Sequence, residues 1–212
     1  MNKGLAGYET TIFGMLHKLK QIETITKNIE NATTVGYKRQ IPESLTFKTI
    51  FDQVALRDES QADLKKTSNN FDLAIEGNAY FLVEGEDGPI PARNGNFRLN
   101  EKGELSTQDG KEVVVLDKTE KPVSLATTND IKVNENGEIF ANGEKYGRIA
   151  MQIMDNKPVR IHQGFVEGSN VNLATEMMSL TMAFRAFEAS EKTLGMEASV
   201  DKDLIEKYGR NV

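Results

Sequence analysis

The segment SNVNLATEMMSLTMAFRAFEASEKTLGMEA, Ser169 to Ala198, decides how the rest of the chain is read. Its apolar residues Leu173, Met177, Leu180, Phe184, Phe187, Leu194 and Ala198 recur by fours and threes, interrupted only by Glu191. This spacing predicts a heptad helix with a seam that wants a partner helix. Met178, Met182, Ala189 and Met196 form a second row on the far side. One partner cannot cover both rows, so the helix asks for several neighbours.

The partner is predicted at the other end of the chain. Leu5, Tyr8, Ile12, Met15, Leu19, Ile22 and Ile29 again recur by threes and fours, with Thr26 the polar member of the seam. A second heptad helix follows, pairing with the first as a coiled coil. Asn31-Ala32-Thr33-Thr34-Val35-Gly36 then replaces helix formers with turn formers and ends it. Pro42, an apolar run near Leu45 to Leu56 and a charged, aperiodic stretch from Arg57 to Asn70 read as a connector.

From Phe71 the period becomes two. Phe71, Leu73 and Ile75 alternate with Asp72, Ala74 and Glu76, and Gly77-Asn78 leads into Tyr80-Phe81-Leu82-Val83. Short strands are predicted at 95–99, 104–107, 113–116, 131–133, 138–141 and 147–154, separated by Gly-, Asn- and Asp-rich turns that include Asn142-Gly143. The predicted fold class is α+β: N- and C-terminal heptad helices pairing as a coiled coil, with a central antiparallel, partly barrel-like β-domain. The predicted segments are an N-terminal helix and turn over 1–38, a connector over 39–70, the β-domain over 71–165, and a C-terminal helix over 166–212 that packs with the first.

Composition narrows the function. Across 212 residues the net charge is -6, which argues against nucleic acid as the main partner. The absence of Cys removes disulfides, thiolate metal sites and cysteine nucleophiles. No apolar run reaches the roughly 20 residues of a membrane span, and the N-terminal residues do not read as a cleaved secretory signal. Asn134-Glu135-Asn136-Gly137-Glu138 is faintly like half a calcium loop, but it lacks the later bidentate Glu and flanking helices, so a hairpin turn is expected. His17 and His162 stand far apart with no acids at ligand spacing. Glu101, Glu104 and Asp109 alternate with turn residues and read as a solvated rim rather than a carboxylate pair. No enzyme, cofactor or metal is expected.

Three separated motifs then carry a resemblance. Asn28, Asn31, Thr34, Gly36, Tyr37 and Lys38 lie in the first, before Arg39; Gly77 and Gly95 lie in Phe71 to Phe81 and in Arg93-Asn94-Gly95-Asn96-Phe97; Ser169, Asn170 and Val171 follow Glu167-Gly168. In this order they resemble the flagellar rod and hook axial proteins. Lys27, Glu30 and Pro91-Ala92 depart from the family's pattern. The short connector and the short segment from Met154 to Gln163 are most similar to the proximal rod proteins, next to the distal ones. The resemblance implies a structural subunit of the basal-body rod, built into a tubular assembly by its terminal helices. The implied partners are copies of itself, other axial proteins and the flagellar export apparatus. The implied place is the periplasmic portion of the basal body, reached without signal cleavage. The expected interface comprises the two seams with Met178, Met182, Arg185 and Glu188; Arg185 and Glu188 pair either with each other or with a neighbour. The reading from another class is a soluble β-domain binding carbohydrate or peptidoglycan on a helical stalk.

Overall fold

The computed structural model describes residues 3–42, 56–117, 131–141 and 143–208. Most of the predicted apolar run near Leu45 to Leu56, the Asn142 turn position and the side chain of Leu5 lie outside the described residues. Helix α1 spans Lys3–Glu30, followed by strands β1 (Gln40–Ile41), β2 (Leu56–Arg57), β3 (Leu64–Lys66), β4 (Leu73–Glu76), β5 (Ala79–Gly85), β6 (Gly88–Ala92), β7 (Arg98–Leu99) and β8 (Leu105–Ser106). Next come β9 (Val115–Leu116), β10 (Ile131–Val133), β11 (Glu138–Ala141), β12 (Glu144–Ile149), β13 (Met151–Ile153), β14 (Arg160–Gln163), β15 (Phe165–Glu167) and helix α2 (Leu173–Tyr208). The architecture is α+β.

The chain divides into two compact units. The first gathers 1–30, 40–58 and 171–212; the second gathers 31–39 and 59–170. Within the first unit α1 packs along α2, and β1 pairs antiparallel with β2. Asn28 near the end of α1 bonds Glu176 near the start of α2, so extended packing requires the helices to run antiparallel. Helix α2 begins later than Ser169 because Asn172 caps it: its Oδ1 accepts the N–H of Thr175 and its carbonyl accepts that of Glu176.

The second unit holds the β-structure. Its described strands form a four-stranded sheet (β10-β11-β12-β9), a three-stranded sheet (β13-β5-β6) and pairs β14-β4, β15-β3 and β7-β8, with no closed barrel among them. The partly barrel-like expectation is corrected accordingly. Small antiparallel sheets close instead over a core of Leu73, Ile75, Phe81, Phe97, Ile139 and Ile149, with Phe81 and Phe97 edge to face at 5.1 Å. Strand β6 carries Pro89 and Pro91, which suits the edge position it occupies.

Two hairpin turns in this unit share one construction. In Asn100-Glu101-Lys102-Gly103-Glu104 and Asn134-Glu135-Asn136-Gly137-Glu138 the Asn Oδ1 accepts the N–H groups of the third and fifth residues. The Asn Nδ2 donates to the Glu carboxylate at 2.9 Å in the first turn and 2.7 Å in the second. The Gly adopts φ of 77° and 79° respectively, which an L side chain would resist.

Candidate assembly site: two helix faces and a buried charge cluster

The face that α2 buries is one residue out of step with the predicted seam. Glu176, Leu180, Ala183, Phe187, Ser190, Leu194 and Glu197 are buried or half-buried, whereas Leu173, Met177 and Phe184 are exposed. Leu180, Phe187 and Leu194 belong to both readings. The alternate places are taken by Glu176, Ala183 and Ser190, which lie at 1%, 7% and intermediate exposure. Glu176 is drawn inward by its bond from Asn28 at 3.3 Å, and small Ala and Ser side chains allow close helix approach. Glu191, the odd member of the predicted seam, is exposed.

The second predicted row stands clear of the protein: Met178, Met182 and Met196 are each about three-fifths exposed, and Ala189 and Val200 are exposed beside them. Arg185 and Glu188 are exposed between the rows, and no ion pair joins them among the described residues. Together with Leu173, Met177 and Phe184, α2 presents far more apolar surface to solvent than a surface helix normally does.

Helix α1 departs further from expectation. Thr24, Ile25 and Asn28 are buried and His17 and Gln21 half-buried, while Ile12, Leu16 and Leu19 are exposed. At about 100° per residue this places the predicted seam on the opposite side from the buried face. Tyr8, Met15, Ile22 and Ile29 are half-buried. The most deeply buried side chains of α1, Thr24, Ile25 and Asn28, thus lie off the predicted seam, and two of the three are polar. His17 Nδ1 is buried without a hydrogen-bond partner, and burial first, then Lys18, lowers its pKa below 6.5.

Apart from Asn28 and Val171, which belong to the first unit, the motif residues fall in the second. Gly36, at φ 69°, lies so close to Asn94 that a Cβ would fall 2.6 Å from its nitrogen, and its N–H donates to the Glu167 carbonyl at 2.8 Å. Asn170 Oδ1 accepts the Arg39 N–H at 2.7 Å, the Asn170 N–H donates to the Tyr37 carbonyl, and its side-chain amide donates to Ser60. Ser169 is half-buried alongside, and Thr34 folds back on Asn31. Gly95 fits where no side chain would: its Cβ would stand 1.7 Å from the Leu73 carbonyl oxygen.

Beneath this clasp lies a cluster that sequence reasoning missed. Glu167, 1% exposed at its side chain, accepts Lys38 Nζ at 2.8 Å, the Ala62 N–H at 3.0 Å and the Arg93 Nε. Arg93 Nη1 donates to the carbonyls of Gly77 and Ala79 and Nη2 to that of Ile75, and Lys38 also bonds the Ser60 carbonyl. Every charged group is thus satisfied, as burial demands. Lys38, Arg93 and Glu167 each fall in a motif, but nothing in their sequence spacing links them. Gly77 supplies both an acceptor and a positive φ of 116°.

The other candidates have structural explanations. Asn134 spends its amide on its own turn, and Glu138 is held by Lys145 and Asn134, which keep its carboxyl below the usual range. Glu104 is likewise lowered, first by the Asn100 amide, and Asp109 by Thr107. His162 meets Glu76 at 2.7 Å on paired strands. Among the described residues no group of three or more His, Cys, Asp or Glu is placed to hold a metal, and no helix is long and apolar enough to cross a membrane.

Known proteins place these features in context. Residues 162–206 match the model of the flagellar basal body rod FlgEFG protein C-terminal region, and 74–141 that of the flagellar hook protein FlgE/F/G D1 domain. The flagellar basal-body rod protein FlgF of Mesorhizobium japonicum is 30% identical over 90% of this chain and 92% of its own length. FlgF of Rhizobium meliloti shows the same identity and coverage. FlgG of Bacillus subtilis is 24% identical over 92% of this chain and 96% of its own. The chain belongs to the flagellar basal-body rod proteins, of the proximal (FlgF) or distal (FlgG) kind.

Proposed function

We propose that this rod protein is a non-enzymatic structural subunit that enters a tubular axial assembly through the exposed faces of α1 and α2, contacting copies of itself and other axial proteins. The observation that carries the reading is the exposed apolar row Met178, Met182 and Met196 on a helix already packed on another side. Each such side chain buried in an assembly contributes about 1.5 to 3 kcal/mol before ordering costs. Flexible thioethers suit contacts that differ slightly from one neighbour to the next. Helical assembly uses heterologous contacts, and two unlike apolar rows on one helix fit that geometry. The periplasmic portion of the basal body is the site of action, and passage through the flagellar export apparatus without signal cleavage is the route.

The test is Met182→Gln. The expected result is thermal unfolding of the monomer within about 0.5 kcal/mol of wild type, with incorporation into rods strongly reduced. Undiminished incorporation, or unfolding of the isolated monomer, overturns the assignment.

A further inference from the structure

The rotational setting of α1 needs a cause. Ile12, Leu16 and Leu19 are each 45–48% exposed while Thr24 and Asn28 are buried. Apolar burial alone would turn the helix the other way. Something must hold the polar face inward.

Asn28 is the group placed to do so. It is fully buried, and its amide engages both backbone groups of Gln40: Nδ2 donates to the Gln40 carbonyl at 2.8 Å, and Oδ1 accepts the Gln40 N–H at 2.8 Å. The side chain thus imitates a neighbouring strand beside β1, whose Gln40 is registered with Arg57 of β2. Its Nδ2 also reaches Glu176 Oε2. Turning α1 about its axis would strand two backbone groups and a buried carboxylate together, and unsatisfied buried polar groups cost more than made bonds gain.

We propose that Asn28 is a positioning residue that fixes the rotation of α1 on α2, holding its polar face inward and its Ile12, Leu16 and Leu19 stripe outward. Single buried polar residues set register in helical pairs elsewhere; here the degree of freedom is rotation. The inference concerns the isolated chain and stands whether or not that stripe is an assembly surface.

The absence of Cys makes the test clean. From the Asn28–Glu176 contact, seven residues back along α1 and seven forward along α2 bring Gln21 opposite Ala183, whereas Leu19 points away. In otherwise wild-type protein, mild oxidation should close a Gln21→Cys/Ala183→Cys pair and close Leu19→Cys/Ala183→Cys roughly 10-fold less, since Cα atoms beyond about 7 Å cannot bridge. Adding Asn28→Leu should raise the second yield relative to the first about 10-fold, with helical content retained. An unchanged ratio overturns the proposal. Where Asn28→Leu lowers helicity, Asn28→Asp is read instead: it removes the donor to Gln40 and Glu176, and an unshifted ratio there overturns the proposal equally. Glu176→Gln keeps an acceptor for Asn28 and should preserve the wild-type ratio, an outcome a general loss of stability would not produce. A shift in Glu176→Gln as large as that in Asn28→Leu refutes the assignment to Asn28.

Discussion

Glu167 shows how much one side chain can organise. A carboxylate at 1% exposure between Lys38 and Arg93 satisfies two cations and the Ala62 N–H, joining residues from four separated parts of the second unit. Replacing it with Gln keeps the shape and removes the charge. We expect Glu167→Gln to destabilise the second unit by roughly 3 to 5 kcal/mol, because two buried cations lose their counter-ion. Equilibrium urea unfolding checks this, and a loss below about 1 kcal/mol would show the cations rehydrating. None of this was legible beforehand. Glu167 and Arg93 each read only as one letter of a motif, because a partner 74 residues away leaves no local signature. Gly36 and Gly95 were legible only as motif letters; the close backbone approaches that demand them appear with the fold.

At the scale of elements, existence and type were readable while the buried face was not. Both long helices appear where their apolar periodicity put them, and the strands at 131–133 and 138–141 match residue for residue. Strands β3, β14 and β15 were missed because Leu-Lys-Lys, Arg-Ile-His-Gln and Phe-Val-Glu carry too few apolar residues to register as period two. Strand β6 was masked by its prolines. The helix seams were misplaced for a different reason: hydrophobic periodicity locates the face that wants covering, whichever neighbour covers it. The half-buried residues of α1 include His17. Its pKa is lowered by burial, so the unfolded chain takes up a proton first as pH falls below 6.5. Stability of the helix pair is therefore complete above pH 6.5 and declines as pH drops through the lower folded value. Helical melting temperature should fall across that interval in wild type and stay flat in His17→Phe. A flat wild-type profile would exclude His17 from the seam's energetics.

For the whole molecule, the buried apolar residues are distributed very unevenly. Among the described residues only Ile25 and Ala183 of the buried hydrophobics belong to the first unit; all others lie in the second. A helix pair held by so little core is marginal on its own. In dilute monomer, calorimetry and far-ultraviolet dichroism should therefore record two transitions, with the helical signal lost at the lower temperature and the β-unit persisting. One coincident transition would show that the units unfold together. A predicted partly barrel-like domain proved to be a set of small sheets because strand lengths of two to seven residues leave too little ladder to close a ring.

The distance along the chain between Lys38 and Glu167 carries a kinetic consequence. Closing a loop of 129 residues costs entropy that grows with the logarithm of its length. The two Asn-Glu-x-Gly-Glu turns, by contrast, close over five residues. Hairpins can therefore form early from local contacts, whereas the ion cluster becomes available only after most of the polypeptide has been gathered. Among the described residues the most deeply buried ion pairs, Lys38–Glu167 and Arg93–Glu167, are thus expected to be late commitments in folding.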